Sequence, residues 1–205
     1  MTGCGVPRRG TSYTGGMSPL LDDDRVIADT GRWLERAVIG LNLCPFAKSV
    51  YVKDQVRYAV SHATTPEALR EDLVRELQWL AAEDPQRTDT TLLIHPHVLQ
   101  DFLDYNDFLD VADAVLDELD LEGVLQVASF HPHYQFAGTA EDDVENCTNR
   151  SPYPTLHLLR EDSIERAVQA FPEPEAIYEA NIRTLRALGR EGFERLLNDD
   201  AAPGR

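Results

Sequence analysis

Thr91-Leu92-Leu93-Ile94-His95-Pro96-His97 is the stretch whose reading decides the fold. Its first four residues form a continuous apolar run, as expected of a strand covered on both faces. What surrounds it repeats a pattern. Upstream, Thr65-Pro66-Glu67 starts a helix, with Pro at the first helical position and Leu69, Leu73, Val74, Leu77 and Leu80 at helical spacing. Before that helix, Val56-Arg57-Tyr58-Ala59-Val60 alternates like a half-buried strand. Downstream, Asp101 to Asp120 carries one apolar stripe (Tyr105, Phe108, Leu109, Ala112, Val115, Leu116 and Leu119) against a face of aspartates. Gly123 then leads into a third strand, Val124-Leu125-Gln126-Val127-Ala128.

Working outward, Asp22-Asp23-Asp24 caps an earlier helix through Val26, Ile27, Trp33, Leu34 and Leu41, with Pro45 past its end. On the other side, Tyr134 to Pro154 lacks periodicity. At about twenty residues it exceeds an ordinary connection, and such loops tend to be functional or disordered; its Pro, Asn, Thr and aromatic content argues for order. Leu156-His157-Leu158-Leu159 reads as a fourth strand, Asp162-Ser163 caps a helix through Phe171, and a last helix runs from about Pro174 to Leu197. The expectation is a single α/β domain over residues 21–197. It holds a four-stranded, mainly parallel sheet, β-α-β-α-β plus one antiparallel strand, flanked by helices. Residues 1–20 read as a disordered leader, with Met17 an alternative start, and 198–205 as a frayed tail.

Composition narrows the function classes. The 205 residues carry a net charge of −17, which works against a nucleic-acid backbone or an anionic membrane surface. A small-molecule partner fits better, and the oligomeric state is left open. No apolar run approaches a membrane span or a secretory signal. Three cysteines, Cys4, Cys44 and Cys147, are too scattered for a disulfide framework, so a reducing cytoplasm is expected.

Parallel strands joined by crossover helices gather their C-terminal ends on one edge, where α/β proteins bind ligands. His62 follows the first strand, His95-Pro96-His97 the second and His131-Pro132-His133 the third. If the fourth strand runs antiparallel, His157 lies two residues in from the same edge. Imidazole is both a common metal ligand and the acid–base group of neutral pH. Each His-Pro-His also reads as an extended turn leaving a strand, His62 as solvated, and His157 as a buried ring bonded to backbone. In the loop, Arg150 suits a carboxylate or phosphate clamp, or a structural arginine holding carbonyls. Thr148, Asn149 and Ser151 also suit turns. Glu141, Asp142 and Asp143 offer carboxylates or a solvated surface. Cys44, before Pro45-Phe46, is a candidate thiolate; its position after a helix and the lack of a second cysteine speak against a thioredoxin-like turn. Lys48 could aid an anionic ligand or face solvent.

Over roughly Arg25 to Arg190 the chain resembles an uncharacterised bacterial family, domain of unknown function 1415. The resemblance rests on Leu41-Asn42-Leu43-Cys44-Pro45-Phe46-Ala47, on Ser129-Phe130-His131-Pro132 with Tyr134 and Phe136, and on Thr148 to Pro154 continuing through His157 to Glu161. It implies no reaction and no cofactor. Its motifs match Cys44, His131, Asn149, Arg150 and His157, whereas His97, His133 and Cys147 are not fixed parts of it.

The leading expectation is an enzyme for a small polar, anionic metabolite. His131 and His157, with His95, would hold a divalent metal or shuttle protons, and Cys44 or a loop carboxylate would complete the centre. Arg150 would grip the substrate with Asn149, Ser151, Tyr134 and Lys48 beside it. A non-catalytic module that binds an anionic ligand, with structural histidines, is the rival. A metal-free acid–base or thiol enzyme is the third reading. The cofactor stays unknown, a divalent metal being the candidate.

Overall fold

A computed structural model describes residues 21–170 and 174–198 of the chain. The leader expected over residues 1–20 lies outside them, as do Phe171 and residues 199–205 of the expected tail.

Helix α1 (Asp23–Trp33) is capped by Asp22, whose carboxylate accepts from the Asp24 amide. It continues as a wider π-helical stretch, Leu34–Ile39. A short α2 (Ala47–Val52) leads into β1 (Val56–Val60). Thr65 caps α3 (Pro66–Ala82), which feeds β2 (Thr90–Ile94). Asp101 caps α4 (Phe102–Glu118), which feeds β3 (Leu125–Phe130). The long loop contains a single 3-10 stretch, Val144–Thr148. Then come β4 (Thr155–Arg160), α5 (Glu161–Ala170) and α6 (Pro174–Asn198), the last broken at Gly189 with φ 70°.

The strands form one sheet in the order β1-β2-β4-β3. Only β1 and β2 pair in parallel; β4 is antiparallel to both β2 and β3. The sheet is therefore mixed, which corrects the mainly parallel expectation. The physical reason is that the loop after β3 brings the chain back to the edge it left. β4 must then run backwards, and it fills the gap between β2 and β3 that a parallel order would have closed.

Each strand's alternation sends side chains to two layers. Leu93, Leu156, Leu158 and Leu125 pack against Leu69, Leu73 and Leu77 of α3 and Phe108, Ala112 and Val115 of α4. Leu92 and Ile94 pack on the other face with Val26 and Trp33 of α1 and Leu185 and Phe193 of α6. Arg160, at the end of β4, donates to the carbonyls of Leu80 (2.7 Å) and Glu83 (2.8 Å) and so secures the C-terminus of α3. No helix among the described residues is long and apolar enough to cross a membrane.

Candidate functional site

Because β1, β2 and β3 point the same way and β4 starts where they end, one edge collects both His-Pro-His segments. Tyr105 of α4 is its centre. The residue is fully buried, and its hydroxyl donates to the Thr155 carbonyl (2.9 Å) and accepts from the Phe130 amide (3.0 Å). It thereby ties the end of β3 to the start of β4. The His95 ring stacks on one side of the phenol (5.8 Å between centroids, 17°), and the His131 ring tilts against it at 5.0 Å. Phe102 adds a further wall, 5.5 Å from His131 and 5.1 Å from the Tyr134 ring.

The two imidazoles are fully buried but bonded differently. His131 Nε2 lies 3.1 Å from the Leu99 carbonyl, and its Nδ1 accepts from the His133 amide at 3.0 Å. Both nitrogens are thus engaged, in the neutral Nε2–H form. His95 Nδ1 lies 3.1 Å from the Val98 carbonyl, which makes it the Nδ1–H form. Its Nε2 is buried without a partner, and so is Nε2 of His97 two residues on. Burial is the main cause that pushes both His95 and His131 down to about 4, against the weaker pull of the Val98 and Leu99 carbonyls; each ring is therefore neutral at pH 7.

The loop between β2 and α4 supplies both carbonyls. It does so by holding Leu99 at φ 55°, a conformation that costs a non-glycine residue about 1 kcal/mol. Strain at a branched residue beside a candidate site is where such a cost is expected to be retained.

The remaining sequence candidates separate into two groups. Asn149 and Tyr134 join the edge: the Asn149 carbonyl accepts from the His131 amide, and its side chain donates to the Ser129 carbonyl (3.1 Å each). Arg150 lies in the same loop, but its guanidinium donates to the carbonyls of Tyr134 (3.2 Å) and Glu141 (2.7 Å). Ser151 Oγ donates to the Tyr153 carbonyl at 2.7 Å. Asn146, fully buried, organises the loop interior: it accepts from the Phe136 amide and donates to the Ala140 carbonyl. Among the loop carboxylates, Asp142 pairs with Arg190, and Asp143 accepts from the Ala140 amide.

His157, Cys44 and Lys48 are not brought to this cluster. His157 shares a face with Leu92 and Ala128, on the α1–α6 side. Its Nε2 donates to Thr90 Oγ1 (2.6 Å), and that hydroxyl donates in turn to the Leu158 carbonyl. Burial pushes this ring, too, down to about 4. His131 packs instead against α4 aromatics, so the two proposed metal ligands belong to different layers. Cys44 packs among the α1–α6 apolar residues, and Lys48 is exposed on α2. His62 meets Asp23 at 3.2 Å on the surface. Among the described residues no group of three or more His, Cys, Asp or Glu is placed to hold a metal ion.

Sequence reasoning assigned Tyr105 to a core stripe and passed over its hydroxyl. A tyrosine amid Phe, Leu and Val was the available signal, since a buried hydroxyl needs a partner. Leu99 offered none.

A family model described as protein of unknown function (DUF1415) matches residues 25–195. No curated protein and no solved structure matches the chain.

Proposed function

The chain belongs to the DUF1415 family, and we propose that it binds a small polar ligand at the histidine edge, through a hydrogen bond from the ligand to His95 Nε2. The observation that carries this reading is the buried, unpartnered nitrogen of His95, accompanied by that of His97. An imidazole nitrogen buried without a partner costs about 1–3 kcal/mol, and native structures rarely retain such a group without a use. A hydroxyl, amide or amine N–H brought by a ligand would remove that cost. The site favours donors over anions, because the Arg150 guanidinium is held by loop carbonyls. Neutral imidazoles give an anion no counter-charge.

A second reading, acid–base catalysis without metal, is favoured by the presence of two such nitrogens on one rigid His-Pro-His segment. One could take a proton while the other orients the substrate. The two readings part on the fate of the ligand.

The test is a thermal-shift and NMR screen of small hydroxy, amino and amide metabolites against the wild-type chain, His95→Phe and Lys48→Ala. A ligand that stabilises wild type and K48A but binds at least tenfold more weakly to H95F is expected. Equal affinity for H95F contradicts the proposal. Incubating that ligand with the protein in D2O then separates binding alone, which leaves it unchanged, from catalysis, which exchanges its protons or converts it.

A further inference from the structure

A concave region lies near the start of β1, at the opposite end of the strands from His95-Pro96-His97. It is a groove of about 420 Å³ between α1, α2 and β1, within the roughly 300–1,000 Å³ range of small-molecule sites. Two tyrosines, Tyr51 and Tyr58, supply aromatic surface, and Asp54 supplies a carboxylate at the turn between α2 and β1. Glu35 adds a second negative charge, since the Tyr51 hydroxyl donates to it. Ile27, Val52 and Val56 complete the wall with apolar surface, Val52 being 74% exposed. The lining contains no lysine or arginine.

We infer that this groove binds a small organic cation: a primary or quaternary ammonium group bearing a short apolar chain. Ring faces attract cations through their quadrupole. Here both rings lie in the field of Glu35 and Asp54, which helps to push the hydroxyls of Tyr51 and Tyr58 up to about 12. At Tyr51 the hydrogen bond to Glu35 is the largest cause; at Tyr58 it is burial. Both phenols therefore stay neutral and leave the negative charge on the carboxylates. An apolar cation suits this lining better than a metal ion, which wants a cage of oxygens rather than Ile and Val. The overall charge of −17 draws cations toward the protein, and a concave low-dielectric wall focuses that field. Gly31 lines the groove without a side chain, and a Cβ there would stand 3.9 Å from the Tyr58 hydroxyl, in ordinary contact.

The test is an amide-resolved NMR titration of the full chain with n-butylammonium and tetramethylammonium chloride at fixed ionic strength. Parallel arms use sodium butyrate and 1-butanol. Saturable shifts at Gly31, Asp54 and Tyr58 are expected for both ammonium ions and for neither control. Affinity should fall about tenfold in Asp54→Asn and disappear in Gly31→Leu. Asp54 sits at φ 58°, which asparagine also tolerates, so D54N retains its backbone and decides the matter even if G31L does not fold. Unchanged affinity in D54N, equal binding of butyrate or butanol, or no saturable shift with either ammonium ion would overturn the assignment.

Discussion

His95-Pro96-His97 and His131-Pro132-His133 are alike as sequence and leave the same edge of one sheet, from strands separated by β4, yet their first histidines are used in opposite ways. His131 spends both nitrogens on backbone, joining the β2–α4 loop to its own turn. His95 spends one and leaves the other bare. The difference lies in what surrounds each ring. At His131 the following residue's turn brings the His133 amide back onto Nδ1, whereas at His95 the next turn offers only the Val98 carbonyl. The motif fixes where an imidazole lies; its hydrogen-bond partners decide whether it has anything left for a ligand.

The largest effect that could break this comparison is acid. Unfolded histidine takes up its proton near 6.5, while the folded His95 and His131 do so only near 4. Between those values the unfolded state binds more protons, so stability is intact above about pH 6.5 and falls as the pH drops toward 4. Each of these rings, and His157 with its proton uptake also near 4, contributes about 3 kcal/mol to that loss. Urea midpoints at pH 7, 6, 5 and 4.5 should decline steadily, with a shallower slope in His131→Leu. A flat profile would mean that the rings are not buried as described.

Next in size is the direct contrast. His131→Leu strands the Leu99 carbonyl and the His133 amide and should cost about 3 kcal/mol. His95→Leu should cost no more than about 1 kcal/mol, because the Val98 carbonyl keeps Gln100 as a donor and a bare nitrogen is removed. Equal losses in chemical denaturation would erase the distinction. Tyr105→Phe removes the hydroxyl that joins β3 to β4 and should cost about 2 kcal/mol, with faster amide exchange at Phe130. The smallest change is Arg150→Ala. It should cost about 1 kcal/mol and speed exchange across Tyr134 to Asn146, because two loop carbonyls lose their donor. A loss of ligand binding with no change in loop exchange would return Arg150 to a direct role.

The strands and the caps at Asp22 and Thr65 were legible because periodicity and capping chemistry are local, and the antiparallel sense of β4 was expected only from the long loop before it. The position of β4 between β2 and β3 was not, because pairing partners are chosen by three-dimensional closure and leave no period in the chain. The same holds for the site. The meeting of His95 and His131 at one edge followed from strand direction; Asn149 and Tyr134 were named as loop candidates without a position. The separation of His157 was a question of which face its ring takes. Neighbours Leu156 and Leu158 fixed its orientation opposite to their own, but not which helical layer that would meet. Cys44 and Lys48 depended on where the turn after the π-helical stretch would pack. Arg150 could be read either way until the carbonyls of Tyr134 and Glu141 were located.

The bareness of His95 is best examined by long-range ¹H–¹⁵N correlation of the histidine rings at pH 7. His95 should carry its proton on Nδ1 and His131 on Nε2, with the Nε2 resonance of His95 at the position of an imidazole nitrogen that accepts no hydrogen bond. Identical tautomers in the two rings, or a charged imidazole at either position, would contradict this picture.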